Sequence, residues 1–401
     1  MIGLQGMLTE SAEKPLKVLH VIPSVAPCRG GPSKAVIEMV AALRELNIDA
    51  EIASSNDNGP TLLDAPLQEK HIYQGVPIRF FQRFSPPINA IREFAYSADF
   101  KHWLRANISN YNVVHVHAVF SYCSTVAMSV AREAGIPYVV RPIGQLQHWS
   151  LQQAKLKKQV YLNIIERQNI ECASAVQFTS SVEKEESEQA FKLKGETIPL
   201  GINIEEVTTL NKDELVNKLN LSDAKFNILY LSRVHEKKGL DLLLKAFAKR
   251  NYDGALWIAG TGKQDYISQL KQRTHELNIS KNCHFIGHVE GEVKLALLKH
   301  ADLFALSSHS ENFGISVLEA MAYSLPPLVS TEVALSRSIA DEEIGLVCEL
   351  NVTDIAEKLS FANDNRDAIK SMGARAAKYA KNHHSWQSTA KQLKRLYDSI
   401  I

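Results

Sequence analysis

The stretch from residue 301 to 322, ADLFALSSHSENFGISVLEAMA, decides how the chain is read. Its first seven residues, ADLFALS, form an apolar run of strand length. After Gly314 the sequence ISVLEAMAYSL places apolar side chains at Ile315, Leu318 and Met321–Ala322, a period of three to four that predicts a helix. Glu311 then falls in the strand-to-helix loop and Glu319 about one turn into the helix. A helix N-terminus behind a glycine-bearing loop offers unpaired backbone N–H groups and a positive dipole end, which suits a phosphate. Carboxylates on either side of that phosphate can hold hydroxyls, the layout of a sugar, a diphosphate and a ribose. The same residues also fit an ordinary strand–loop–helix with two solvated glutamates.

Outward from this stretch, composition sets the frame. A chain of 401 residues exceeds one ordinary core, so two domains are expected. Apolar residues make up 45% and charged residues 22%, the balance of a globular protein. A net charge of +1 gives no global argument for nucleic acid. Cys28, Cys123, Cys172, Cys283 and Cys348 show no C-x-x-C spacing, which points to free thiols rather than a disulfide framework or zinc site. Residues 1 to about 15 read as a disordered lead without a signal-peptide core, and no apolar run is long enough to span a bilayer. A cytoplasmic protein is expected, with contact at the inner face of the cytoplasmic membrane as a further expectation.

Both halves alternate short apolar runs with helical patterns, which predicts two doubly wound α/β domains facing a central cleft. In the first half, KVLHVIPSV (17–25) reads as a buried strand, followed by Arg29-Gly30-Gly31-Pro32-Ser33 and a helical pattern. Gly30 and Gly31 permit close backbone approach to a ligand, or form a bare turn. The strand YNVVHVHAVF (111–120) alternates so that His115 and His117 share a face. No further ligands lie nearby in sequence, so a metal reading is set aside. Arg141 and His148, around the loop PIGQL (142–146), fit either an acceptor or phosphate contact or a plain structural loop.

Residues 78–105 interleave Phe80, Phe81, Phe84, Phe94, Tyr96, Phe100 and Trp103 with Arg79, Arg83, Arg92, Lys101 and Arg105. A core helix pair and a surface for anionic lipid are both open readings. Residues 152–172 read as a basic amphipathic helix, with apolar Leu156, Val160, Ile164 and Ile165 beside Lys155, Lys157 and Lys158. The domain boundary is placed at about 205.

In the second half, FNILYLS (226–232) precedes Arg233-Val234-His235-Glu236-Lys237-Lys238-Gly239. Arg233 and Lys238 fall at the C-terminal edge of a parallel sheet, where ligands bind. Two cations there can neutralise a diphosphate leaving group. Gly260-Thr261-Gly262 and the segment ending in Val289 form two further strand-to-loop edges.

The pattern S-R-x-x-x-x-K-G at 232–239 with S-E-N-F-G-x-x-x-x-E-A-M-A at 310–322 resembles the signature of the retaining family-4 (group 1) glycosyltransferases of GT-B fold, of the polysaccharide or cell-envelope type. The resemblance covers nearly the whole chain. It implies transfer of a hexosyl group from a UDP- or GDP-linked sugar to a glycan or lipid-linked acceptor. It implies catalytic or donor roles for His117, Arg233, Lys238 and Glu311, with Glu319 on the ribose. It adds Gly30, Gly31, Gly260, Gly262, Val289, Asn312, Phe313, Gly314 and Ile315 to the donor site. Residues 1–205 would be the acceptor-side domain, 206–382 the nucleotide-sugar domain, and a helix over 383–401 would cross back onto the first. The chain contains no D-x-D, so no metal cofactor is expected. Ser324 stands where the family carries glycine, and Ser330-Thr331-Glu332-Val333 where a glycine-bearing loop is usual. A nucleotide-sugar 2-epimerase and a non-catalytic nucleotide-sugar-binding subunit are the alternatives.

Overall fold

A computed structural model describes residues 15–152, 159–204, 209–222 and 224–401. Most of the segment read as a disordered lead, the boundary expected at about 205, and Lys155, Leu156, Lys157 and Lys158 lie outside them. No helix among the described residues is long and apolar enough to cross a membrane. All five cysteines are free.

Two sheets form the framework. The strands of the first are β1 (Lys17–Ile22), β2 (Asp49–Ser55), β5 (Lys70–Tyr73), β6 (Val76–Phe81), β7 (Val113–His117), β8 (Tyr138–Arg141), β9 (Ala175–Phe178) and β10 (Gly195–Thr197), with a two-stranded flap of β3 (Asp57–Asn58) and β4 (Thr61–Leu62). Their spatial order is β10-β9-β8-β7-β1-β2-β6-β5. Only β5 runs antiparallel in this sheet. The second sheet holds β11 (Phe226–Leu231), β12 (Gly254–Ala259), β13 (Cys283–Gly287), β14 (Leu303–Leu306), β15 (Pro327–Ser330) and β16 (Leu346–Cys348), in the order β13-β12-β11-β14-β15-β16 and wholly parallel. The central strands KVLHVI, FNILYL and GALWIA are buried almost end to end, as parallel strands covered on both faces must be. Each sheet has a switch point where the chain changes direction of winding: between β1 and β7, and between β11 and β14. These are the places where an open α/β sheet leaves a crevice.

The stretch 78–105 is not a helix pair throughout. Its first residues belong to β6, and helices follow at Asn89–Phe94 and Ala98–Asn107. Phe80, Phe81 and Phe100 are core, and Arg83 is buried in an ion pair with Asp57. Phe84, Ile88 and Tyr96 remain exposed. In the helical segment after residue 158, a π-helical turn over Leu162–Glu166 rotates the face that is buried. Leu162, Glu166 and Ile170 point inward there, and Val160, Ile164 and Ile165 point out.

The last helix, Trp386–Ile400, packs on the helix Gly31–Glu45 of the first sheet. Its buried positions Trp386, Thr389, Ala390, Leu393, Leu396 and Tyr397 follow the helical period. Trp386 Nε1 donates to Glu38 Oε2 at 3.0 Å, and Thr389 Oγ1 to the Pro199 carbonyl at 2.9 Å. A Cβ on Gly201 would lie 2.6 Å from Trp386 Cα, so only glycine admits this approach.

Candidate active site

At the second switch point the loops after β11 and β14 are zipped together. His309 N donates to the Lys237 carbonyl at 2.7 Å, and Ser308 Oγ to the same oxygen at 3.0 Å. Gly239 has a φ of 63° and lies against the Ser307 carbonyl, where any Cβ would collide. This contact seats Lys238, which is buried and ion-paired with Glu311. Glu311 is held by its backbone: its N–H donates to the Glu332 carbonyl and its carbonyl accepts from Ala334 N, both at 3.0 Å. The unusual loop 330–333 therefore still carries the strand-like contact that fixes Glu311.

Arg233 is exposed at the tip of the same loop system. His235 titrates lower than usual, first through partial burial and then through the cations Arg233, Lys263 and Lys238 around it. Gly260 and Gly262 serve this loop directly, because a Cβ on either would run into the Ser232 or Val234 carbonyl. Val289, half-buried, follows β13.

The helix Ile315–Ala322 begins at Gly314, φ 87°, with no side-chain cap. The helix Gly31–Glu45 also begins at a glycine, Gly30, φ 78°, without one. The two N-termini abut: a Cβ on Gly31 would stand 2.7 Å from Ile315 Cδ1. Their first-turn N–H groups and dipoles thus converge from both halves. Buried Glu319 accepts from Lys294 Nζ at 2.6 Å, and Lys34 Nζ of the first half stands 3.8 Å away.

Two predicted donor contacts are placed elsewhere by their side chains. Phe313 is core, with its ring 5.5 Å from His384. The Asn312 side chain turns away to Thr179 and Glu183 of the first half. Each is drawn off by the partner set against it, His384 for Phe313 and Thr179 with Glu183 for Asn312.

At the first switch point, His117 ends β7 with its ring fully buried. The pairing of β1 with β7 sets His20 directly opposite His115. His20 Nδ1 and His117 Nε2 are 2.9 Å apart, and His115 Nδ1 meets the Tyr397 hydroxyl at 2.7 Å. Burial lowers His20 to about 3 and lowers His115 and His117 well below the usual value, so all three are neutral. Arg141, at the end of β8, is 1% exposed and lowered to about 10, chiefly by burial. Arg141, expected either to meet an acceptor or to belong to a structural loop, is buried among the histidines, Tyr397 and Glu183, and its three guanidinium nitrogens have no hydrogen-bond partner among the described residues. His148 is exposed, with Nε2 2.6 Å from Gln152 Nε2.

The family description "Glycosyltransferase Family 4" matches residues 29–206, and "Glycosyl transferases group 1" matches residues 211–383. The first match takes in β7 of the first switch point, and the second takes in both strands of the second, β11 and β14. The chain belongs to the group 1, family 4 glycosyltransferases. This glycosyltransferase chain has the GT-B fold: it superposes on sucrose-phosphate synthase from Thermosynechococcus elongatus with a TM-score of 0.79 at 18% identity, over 96% of this chain and 99% of that one. Anabaena HepE in complex with UDP and glucose aligns with a TM-score of 0.74 at 18% identity, over 96% and 100%. Among curated relatives, alpha-monoglucosyldiacylglycerol synthase of Streptococcus pneumoniae is 27% identical over 265 residues, 63% of this chain and 59% of that protein. The D-inositol 3-phosphate glycosyltransferase of Nocardia farcinica is 28% identical over 235 residues, 54% and 51%. The chain thus spans between half and three-fifths of the length of these relatives.

Several residues of the glycosyltransferase cleft escape a reading by sequence. Lys34, Lys263 and Lys294 reach the cleft from three separate helices or their caps, and His20 joins His115 and His117 only through strand pairing. The three imidazoles offer nitrogens within 4.8 Å of one another, the kind of set a metal uses. The Arg141 cation acts on all three, and two of them are bonded to each other, so the donor set fits a metal poorly.

Proposed function

We propose that the chain is a retaining hexosyltransferase that moves a sugar from a UDP- or GDP-linked donor to a hydroxyl of a glycan or lipid-linked acceptor in envelope or extracellular polysaccharide synthesis. The convergence of Arg233, Lys238 and two uncapped helix N-termini on one spot, flanked by Glu311 and Glu319, carries this reading. The cations and N–H groups hold the diphosphate and stabilise the charge that builds on it as the glycosidic bond breaks. Entry of the diphosphate draws Lys238 from Glu311 and leaves that carboxylate free for the sugar hydroxyls. Glu319 binds the ribose, with Lys294 orienting it. His117, neutral and fixed by His20, lines the floor beneath the sugar.

A nucleoside diphosphate donor is supported by the neighbour crystallised with UDP and glucose. A membrane-borne acceptor is supported by a relative named for glucosyldiacylglycerol synthesis and by the exposed Phe84, Ile88 and Tyr96 on the first half. Binding to anionic vesicles at low salt checks that part; its absence leaves a soluble acceptor. Because protein cations take the diphosphate charge, no metal is needed there, and EDTA should leave turnover unchanged.

The deciding experiment is nucleotide release from a panel of UDP-, GDP- and ADP-sugars, with and without EDTA, beside Glu311→Ala. Release from one donor that is lost in the variant supports the transferase. Isomerisation of the donor without release would replace it with an epimerase, and neither binding nor release with a non-catalytic subunit.

A further inference from the structure

Asn312 follows Glu311 in the chain, yet its side chain is bound by the opposite half of the molecule. With its amide nitrogen assigned to the Glu183 side, that nitrogen stands 3.1 Å from each carboxylate oxygen, and the amide oxygen is 3.0 Å from Thr179 Oγ1, whose hydroxyl is also 2.9 Å from Glu183 Oε2. Ser180 Oγ donates to the Asn312 carbonyl at 3.2 Å. A Cβ on Gly144, φ 69°, would stand 2.7 Å from Asn312 Cβ, so the loop after β8 makes room for this side chain only as glycine.

The receptor is built in advance. Glu183 is fully buried and accepts from Gly144 N at 2.6 Å and Thr179 N at 2.8 Å. Burial raises its pKa above the usual carboxylate value, opposed by the bonds from Thr179 and Gly144 and, more weakly, by Arg141. Gly144 N, Thr179 N and Thr179 Oγ1 of its own half hold this carboxylate, and Asn312 of the facing half covers it. Ionised, this carboxylate has no donor and so selects an N–H-bearing group. Glu311 thus hangs between two anchors: its own backbone pairs with Glu332 and Ala334 in the second half, and the next residue docks on the first.

We propose that Asn312 and Glu183 form an interdomain latch that sets Glu311 against the donor only when the halves are closed. Glu183 and Thr179 are positioning residues; they touch neither donor nor acceptor. The latch makes closure and alignment one event, since the segment that carries Glu311 cannot reach its pose without the Glu183 contact. The proposal rests on the transferase reading for its consequence in turnover, but not for its geometry.

A charge-reversal cycle tests it on the full chain. Asn312→Asp sets two carboxylates against each other and should open the cleft. Glu183→Gln combined with Asn312→Asp restores one donor facing one acceptor, and the glutamine oxygen keeps one of the two backbone bonds, from Gly144 N or from Thr179 N, so the recovery it brings is partial. Ligand-free small-angle scattering should show a compact wild type, a more extended Asn312→Asp and a compact double variant. With an active donor, kcat should fall at least tenfold in Asn312→Asp with donor KM changed less than about threefold, and recover in part in the double variant. A structural role alone would lower thermal stability without this rescue. If Asn312→Asp does not fold, Asn312→Ala is read the same way against Glu183→Gln. An Asn312→Asp protein as compact and as fast as wild type overturns the latch. A wild type inactive on every donor overturns the transferase reading instead, and scattering still decides the latch.

Discussion

Lys238 and Glu311 neutralise each other across the two loops of the second switch point, both largely withdrawn from solvent. The pair holds a cation for the diphosphate and an anion for the sugar in one place, each keeping the other from being an uncompensated charge. Lys238→Ala removes the cation and strands Glu311. Turnover should fall about a hundredfold or more, the loss typical of a donor aimed at developing charge, with Lys238→Arg retaining more. Steady-state kinetics on the donor identified by nucleotide release checks this.

Lys294 holds Glu319 at 2.6 Å, from a helix that sequence reading did not connect to the site. If Glu319 takes the ribose, Lys294 acts on binding rather than on the bond-breaking step. Lys294→Met should raise the donor KM roughly tenfold and leave kcat within about threefold, the pattern of lost uniform binding. A larger fall in kcat than rise in KM would remove Lys294 from this role.

Ser324 adopts a φ of 61°, a left-handed conformation that side chains resist. The family's glycine is missing here, but the backbone it serves is kept, because Gly373 packs against the Ser324 carbonyl. Ser324→Gly should relieve the strain and stabilise the protein by about 0.5–1 kcal/mol net of the freer unfolded chain. A denaturant midpoint that fails to rise would refute the strain.

His20 is lowered to about 3 and His384 to about 4, both chiefly by burial. Below the ordinary histidine value near 6.5 the unfolded chain takes up protons that the native state refuses, so stability falls with falling pH. The full contribution is present above that value and is lost progressively as pH drops toward the native values. From about pH 7 to about pH 5 each histidine should cost on the order of 2 kcal/mol. Thermal midpoints across this range should drop in wild type, and less in His384→Gln.

The legible part of this protein was local. Apolar runs of strand length at 17–22, 226–231 and 303–306, each followed by a glycine-bearing loop and a helical period, required two parallel sheets. Glu311, Glu319, Arg233 and Lys238 were visible because each lies within a few residues of such an edge, where a doubly wound sheet must open. The strand β6 was hidden because its aromatics pack like those of a helix until β2 and β5 are beside it.

Tertiary structure alone decided which groups meet. Sequence could place His115 and His117 on one face, since alternation is local, but only the pairing of β1 with β7 brought His20 beside them. Arg141 read either as a contact for an acceptor or as part of a structural loop, and only packing places it, buried, beside the three histidines. Asn312 read as a donor contact, and the facing domain captured its side chain. Periodicity reports how a segment buries its own face. It carries no term for the partner that another segment, a hundred or more residues away, sets against that face.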